Sequence, residues 1–345
     1  MVVVYGVGKM GKEFLKKCTE WGEDGIIVCD SNPDLEGTFV EGYKVHNFEN
    51  VIRNYEISKV IVATTSLYFD EIKEYVLSKI NVEVVSYEKC IFINKNDCLN
   101  LGNILLKHEL PAGIYSYNEL INSFDVNSFN EFDKFIYEDS HNRVNKFIHY
   151  SEIYERHFNR FKGKDLKILE IGVYGGGSLQ MWKNYFASSG HKVQVYGIDI
   201  NPECKKYEEE GIEIFIGSQE DRNFLKDVKE RVGTFDVIID DGGHTMNQQI
   251  CSFEELFGAL SSDGVYLCED VHTSYWDQWG GGYKKENTFI EYAKNMIDTM
   301  NDQYIEDEAY INKGMTQIKS ISFYDSIVVI EKRNLVNRSI HLVMD

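Results

Sequence analysis

A hydrophobic strand that runs directly into a glycine-rich turn and then a helical pattern occurs twice in this sequence, as "VVVYGVGKMG" at residues 2–11 and as "LEIGVYGGGS" at residues 169–178. Glycine has no Cβ and accepts φ > 0, so such turns allow a backbone to approach a ligand closely. Behind each turn, strand and helix signals alternate, which implies parallel sheets covered by helices. In the first half the pattern predicts strands at 2–5, 26–30, 43–45, 59–64 and 82–86, with helices at 10–21, 48–54 and 68–79. In the second half it predicts strands at 167–172, 194–200, 213–217, 235–240 and 265–269, then a pair at 318–323 and 326–331. Only Tyr324 and Asp325 separate that last pair. The gap suits an antiparallel hairpin, because a parallel crossover needs about a dozen residues or more.

Between the halves the rhythm is lost. Residues 93–139 are expected to be a connecting region around Pro111, with helix at 118–123 and 131–137, and residues 1–92 and 140–345 to be the two domains. A chain of 345 residues is long enough for two such cores. No apolar run reaches the ~18–20 residues that a membrane span needs. The start lacks a basic region and a cleavage site and reads as a first strand, not a signal peptide. The cysteines Cys18, Cys29, Cys90, Cys98, Cys204, Cys251 and Cys268 form no CxxC pair, which suggests reduced thiols in a cytoplasmic protein. A net charge of −20 argues against a nucleic-acid partner, because phosphate contacts need clustered Lys and Arg.

The central turn is a poor match to GxGxxG, the pattern that cradles a pyrophosphate. Glu170 sits two residues before Gly172 and would repel one; Gly175, Gly177 and Ser178 complete the turn. A carboxylate there suits a ligand with a cationic end and hydroxyls, as S-adenosylmethionine has. Asp199 ends the next strand, where it can accept ribose hydroxyls, and Ser218, Gln219 and Asp221 follow the third, where an adenine edge is read. Taken singly, Glu170 can equally cap a helix and Asp199 start a turn. As an ordered set beyond the carboxyl ends of the strands they point to a methyl donor.

Asp240, Asp241 and His244 end the fourth strand, and Glu269, Asp270 and His272 end the fifth. Converging Asp241, Glu269 and Asp270 would offer hard oxygens to Mg²⁺, or Mn²⁺. A bound cation stabilises a developing alkoxide, and His244 is placed as general base. His272 reads as a supporting residue. Tyr275, Trp276 and Trp279, beside the glycines at 280–282, are either core or a lid that stacks on a sugar.

The segments "LEIGVYGGGSLQMW", "YGIDI", "GSQED", "FDVIIDDGGH", "EDVHTSYW" and "ISFYDSIVVIEK", with "HYSEIYERHF" upstream, resemble the metal-dependent sugar O-methyltransferases of macrolide and tetracenomycin biosynthesis, the mycinamicin-type enzymes. The likeness spans about Ser140 to Lys332. It implies a class I methyltransferase sheet, S-adenosylmethionine as donor, Mg²⁺ held by Asp241, Glu269 and Asp270, and His244 as base. Gly243 stands where that family's "DDGSH" has serine, which leaves the roles intact and loosens the loop. The expected fold class is therefore α/β, with two Rossmann-like domains, the second a methyltransferase sheet closed by an antiparallel hairpin.

In the first turn, Gly6, Gly8 and Gly11 follow a strand and open a helix, and Asp30 ends the next strand. This is the setting a dinucleotide fingerprint requires. With "CDSNPDLEGTFVEGYKV" and "KVIVAT", the half resembles small nucleotide-binding domains fused to polysaccharide- and sugar-modifying enzymes, and Thr64, Thr65 and Ser66 can add hydroxyl contacts. It carries no hydride-transfer residues, so binding, scaffolding or dimerisation is its expected role. The expected partner is a carbohydrate or glycoside, in a surface polysaccharide or a natural product, and a homo-oligomer is expected. Two other functions remain open from sequence: a hydroxylase related to the cephalosporin hydroxylases, and a non-enzymatic nucleotide sensor.

Overall fold

Strand β1, Val2–Tyr5, is apolar on both faces, so it can lie only inside a sheet covered on both sides. In the computed structural model it does so. The structure describes residues 1–20, 25–64, 66–87, 90–93, 105–107, 113–137, 141–305 and 317–333. Trp21, Thr65, Cys98, Pro111 and Ser140 lie outside the described residues. The chain divides into two units, Met1–Ser128 and Phe129–Asp345.

In the first unit β1 is joined by β2 (Ile26–Cys29), β3 (Phe39–Val40), β4 (Tyr43–His46), β5 (Lys59–Val62) and β6 (Glu83–Ser86), in the order β3-β4-β2-β1-β5-β6. All pairings are parallel except the short β3–β4 pair. Helix α1 (Lys9–Glu20) buries Phe14, Leu15 and Cys18 against one face. Helices α2 (Phe48–Asn54) and α3 (Ser66–Lys79) cover the other, with Phe48, Val51 and Val76. Asn47 caps α2 by accepting from the backbone N–H groups of Glu49 and Asn50. Two small antiparallel pairs follow: β7 (Cys90–Ile93) with β9 (Gly113–Ser116), and β8 (Leu105–Leu106) with β10 (Phe124–Asp125). Helix α4 (Tyr117–Asn122) belongs to this unit, so part of the stretch read as a connector is built into it.

The second unit begins with α5 (Glu131–Tyr137) and α6 (Tyr150–Phe158). Its seven strands are β11 (Leu166–Ile171), β12 (Val193–Asp199), β13 (Ile212–Ile216), β14 (Phe235–Asp240), β15 (Leu260–Cys268), β16 (Ile318–Phe323) and β17 (Val328–Lys332). They lie in the order β13-β12-β11-β14-β15-β17-β16. The first five run parallel, and β17 is antiparallel to both β15 and β16. Strand β15 starts five residues before the sequence pattern suggested, because Ser261, Ser262 and Asp263 extend it past the apolar run. Helix α7 (Gly177–Phe186), with α5 and α6, packs one face of the sheet: Trp182 is fully buried, with Phe132 and Tyr154 edge-on to it at 5.7 and 5.0 Å. Helices α8 (Arg222–Val232), α9 (Met246–Leu256) and α10 (Phe289–Met300) pack the other. Strand order turns back between β11 and β14, so a crevice opens beyond their carboxyl ends.

Cys18, Cys29, Cys204, Cys251 and Cys268 are buried and form no disulfide. No helix among the described residues is long and apolar enough to cross a membrane.

In the first unit the start of α1 is pressed onto the turn before it. A Cβ on Gly11 would lie 2.0 Å from the carbonyl oxygen of Gly6, whereas one on Gly8 would meet nothing within 4 Å. Gly11→Ala should therefore destabilise the first unit by about 1–3 kcal/mol through overpacking. Gly8→Ala should change stability by no more than about 0.5 kcal/mol. Chemical denaturation followed by circular dichroism checks both; equal effects would mean that the close approach does not matter.

Candidate active site

Two adjoining cavities open beyond the strand ends of the second unit. The larger, about 380 Å³, is lined by residues that include Asp199, Asn201, Ser218, Gln219 and Gln248. The smaller, about 190 Å³, is lined by residues that include Arg143, Lys146, Ser178, His244 and Asp270. Gly172, Tyr174, Asp241 and Gly242 line both.

The turn after β11 is fixed from three sides. Gly172 has φ +93°, and a Cβ there would lie 2.0 Å from the Asp241 carbonyl oxygen, so only glycine fits. Its N–H donates to Ile198 O at 2.8 Å, and the Asp241 N–H donates to Ile171 O at 2.9 Å. Asp199 then ties down the next residues: Oδ2 accepts from the N–H groups of Val173 and Tyr174 at 2.9 and 3.1 Å, and Oδ1 from Asn201 at 2.8 Å. The remaining glycines accommodate the chain itself. A Cβ on Gly177 would lie 2.2 Å from Asn142 O, and one on Gly175 would lie 2.8 Å from Arg143 O. These two glycines line neither cavity; they let residues 142–143 rest on the turn.

Glu170 is fully buried and also lines neither cavity. Its Oε2 accepts from Ser178 Oγ at 2.7 Å, and its Oε1 lies 3.4 Å from Lys146 Nζ. Lys146 was not singled out in the sequence, yet it holds the site together. Its side chain is 2% exposed, and Nζ also donates to Asp241 Oδ2 at 2.6 Å and to Glu269 at 3.0 and 3.1 Å. Burial opposes the charge, but the Asp241, Glu269 and Glu170 carboxylates outweigh it and hold the Lys146 pKa well above the ordinary lysine value. Glu269 is itself raised well above the ordinary range by burial, despite Lys146. Tyr154 OH donates to Glu269 Oε1 at 2.8 Å, and Tyr150 OH to Asp270 Oδ1 at 2.7 Å. These tyrosines are four apart on α6, so one helical face reaches two consecutive acids. That i, i+4 spacing in "HYSEIYERHF" is the signal by which sequence reasoning could have found them.

His244 Nε2 lies 3.8 Å from Asp241 Oδ1 and 3.5 Å from Asp270 Oδ2. Its buried Nδ1 has no hydrogen-bond partner among the described residues. His244, Asp270 and Tyr174 have φ of +57°, +54° and +47°, strained values for non-glycine residues that gather at this one site. One ligand atom each from Asp241, His244 and Asp270 lie within 4.8 Å of one another. Two hard carboxylate oxygens and partial exposure suit Mg²⁺, which keeps several waters when bound. Glu269 stands outside this cluster and faces Lys146 and Tyr154.

The other expected residues fall into several places. Ser218 lines the larger cavity. Gln219 also lines it but acts as a fastener: Nε2 donates to Asp240 Oδ1 and Ser252 Oγ, both at 3.0 Å, and Oε1 accepts from the Gly243 N–H at 2.7 Å. Asp240 is buried under the sheet end, its pKa pushed up to about 7 by burial, although Tyr266 and Gln219 donate to it. Asp221 caps α8, accepting from the N–H groups of Asn223 and Phe224. Gly243 does not loosen its loop. A Cβ there would lie 2.3 Å from Gln248 Oε1, and that amide accepts from Thr245 to complete the capping box of α9. Tyr275 and Trp276 are about half exposed; the Trp276 ring meets His272 edge-on at 4.5 Å, and the Phe147 ring meets His272 edge-on at 6.0 Å.

In the first unit Asp30 repeats the part of Asp199. Its Oδ2 accepts from the Val7 N–H and its Oδ1 from Asn32, both at 2.8 Å, while the Gly6 N–H donates to Cys29 O at 2.8 Å.

No protein-family model matches the chain. It is similar to demethylmacrocin O-methyltransferase of Streptomyces fradiae, 32% identical over 191 residues, which is 52% of this chain and 47% of that protein. It is similar to the mycinamicin VI 2''-O-methyltransferase of Micromonospora griseorubida, 32% identical over 199 residues, 54% of this chain and 49% of that one. It is also similar to an 8-demethyl-8-alpha-L-rhamnosyl tetracenomycin-C 2'-O-methyltransferase of Streptomyces olivaceus, 31% identical over 194 residues, 53% and 50% of the two chains. Among solved structures, the MycE methyltransferase of the mycinamycin pathway, in complex with Mg, S-adenosylhomocysteine (SAH) and mycinamycin VI, matches with a TM-score of 0.53 at 26% identity, over 66% of each chain. A complex of that enzyme with Mg and SAH matches with a TM-score of 0.50 at 32% identity, over 55% of this chain and 50% of that one. The homologues are thus sugar O-methyltransferases, and the α/β methyltransferase fold is shared. The chain spans about half the length of the curated relatives it matches.

Removing Lys146 leaves three carboxylates without their shared cation. Lys146→Met should lower stability by about 3–5 kcal/mol, as expected when one partner of a buried ion pair is lost. Adding Glu269→Gln should recover part of that. Denaturation midpoints of the single and double variants check it; a Lys146→Met midpoint equal to the wild type would refute the cage.

Proposed function

We propose that this chain transfers a methyl group from S-adenosylmethionine to a sugar hydroxyl of a glycoside, with Mg²⁺ at the acidic cluster. The observation that carries this reading is His244 Nε2 between Asp241 and Asp270, lining a small cavity that adjoins a larger one edged by Asp199 and Ser218. The relatives' activities and the Mg and SAH in the matched structures support it.

The larger cavity takes the nucleoside. Asp199 and Ser218 offer oxygens there: with Val173 and Tyr174 on Oδ2 and Asn201 on Oδ1, the Asp199 carboxylate keeps acceptor capacity on Oδ1 for a ribose hydroxyl. The smaller cavity takes the methionyl end and the acceptor oxygen. His244 receives the hydroxyl proton as the oxygen attacks the methyl carbon in line; the carbon–oxygen bond forms, the carbon–sulfur bond breaks, and SAH leaves. The imidazolium lies beside two carboxylates, which stabilise it. Asp241 and Asp270 would hold Mg²⁺, which when bound favours ionisation of a sugar hydroxyl. Glu269, expected as a third ligand, is engaged by Lys146 and Tyr154 and acts as the support behind Asp241. Nothing favours Mn²⁺ over Mg²⁺. Trp276, about half exposed and held edge-on by His272, offers a ring on which a sugar can lie.

A surface-polysaccharide acceptor finds no support in the comparisons, whose proteins are named for demethylmacrocin, rhamnosyl tetracenomycin-C and mycinamicin VI. For the first unit the reading is a Rossmann-like nucleotide-binding fold. Open space at Gly8, close packing at Gly11 and the Asp30 tie support it, because the fingerprint's glycines serve a turn, an approach and a packing contact. The comparisons lend that nucleotide no support.

Incubation with labelled donor and candidate glycosides, with and without EDTA, tests the main reading. Transfer that persists in EDTA would remove the metal, and no donor binding by calorimetry would end the reading. His244→Ala is expected to cut turnover at least about 100-fold while SAH affinity stays within about twofold. Unchanged turnover would strip His244 of its role as base.

A further inference from the structure

The smaller cavity contains two cationic side chains, and only one is spent. Lys146 is buried and shared among Glu170, Asp241 and Glu269. Arg143 lines the same cavity, is exposed, and has no carboxylate partner among the described residues. Its guanidinium lies over the Tyr174 ring, 5.3 Å from the centroid. Its backbone is fixed: Arg143 O accepts from the Gly177 N–H at 3.3 Å, and the preceding Asn142 N–H donates to Gln180 Oε1 at 3.0 Å, both on α7. Gly175 and Gly177 exist as glycines because this segment lies on them. The fold thus sets an unpaired guanidinium over a ring, at the end of the cavity that adjoins the strand turn.

We propose that Arg143 binds the α-carboxylate of the methyl donor and so selects donors that carry an intact amino-acid end. A planar guanidinium with paired N–H groups matches a carboxylate in a way that a lysine ammonium does not. Stacking on Tyr174 and a pinned backbone reduce the entropy lost on binding. The other acids of the cavity, Asp241 and Asp270, are held by Lys146 and Tyr150 and face His244, so they leave this end to the positive charge. The inference rests on the donor reading above. It adds a residue that distinguishes the amino-acid end from the nucleoside.

Calorimetry on the full chain tests it with two ligands, SAH and methylthioadenosine, which shares the nucleoside but lacks the carboxylate. Arg143→Met should weaken SAH about tenfold or more, the loss expected for a charge-assisted hydrogen bond. It should leave methylthioadenosine affinity within about twofold, and Arg143→Lys should recover part of the SAH affinity. If Arg143→Met weakens both ligands alike, or neither, the assignment fails while the donor reading stands. If the wild type binds neither ligand, the donor reading falls and the assignment with it.

Discussion

The site depends on one buried ammonium. Lys146 reaches Glu170 at the end of β11, Asp241 just beyond β14 and Glu269 just beyond β15, three neighbouring positions of a parallel sheet. Parallel strands deliver their carboxyl ends to one edge, so acids placed there crowd each other. Without a resident cation, three carboxylates at this spacing would repel, and burial would add to the cost. With Lys146 in place the acids are held at fixed distances, and Asp270, one residue on, stays partly exposed beside His244. The charge that stabilises the strand ends is therefore also what shapes the cluster able to take a divalent ion.

That ammonium arrives on a segment that the sheet alone does not determine. Residues 141–146 lie across the turn after β11, and they can lie there because Gly175 and Gly177 have no side chains to obstruct Asn142 and Arg143. The glycine run in "VYGGGS" thus serves two partners at once. Gly172 lets the chain pass the Asp241 backbone, and the later glycines seat the strap that carries Arg143, Asn145 and Lys146 to the cavity. Strain gathers at the same place: Tyr174, His244 and Asp270 all hold left-handed backbone angles, stabilised by the packing and hydrogen bonds around them.

Much of the scaffold was legible because it is written locally. Apolar strands ending in Asp or Glu, and the spacing that puts them on one sheet edge, foretold where Asp199, Asp241, His244 and Asp270 lie. What those side chains touch was less legible. Glu170 read as a ligand contact because it precedes a glycine turn, yet full burial makes it a partner of Ser178 and Lys146. Asp221 read as a contact to an adenine edge and is an N-cap, a role that its own short spacing to Asn223 and Phe224 could have shown. Lys146 was invisible, because its partners are 24, 95 and 123 residues away and nothing in a lone lysine's neighbourhood declares such contacts. Gly243 read as a looser serine, but the space it leaves is filled by Gln248.

Asp241 is where these constraints meet. Its N–H is bonded to Ile171 O, its carbonyl oxygen excludes a side chain at residue 172, one carboxylate oxygen is held by Lys146 and the other faces His244. It lines both cavities. A residue fixed at backbone and at one oxygen has a single free direction, toward the imidazole and Asp270. In the methyl transfer proposed above, an acceptor oxygen held at Asp241 and Asp270 would take its position from that fixed carboxylate, and an in-line displacement needs such fixing because small misplacements of the reacting atoms cost rate steeply.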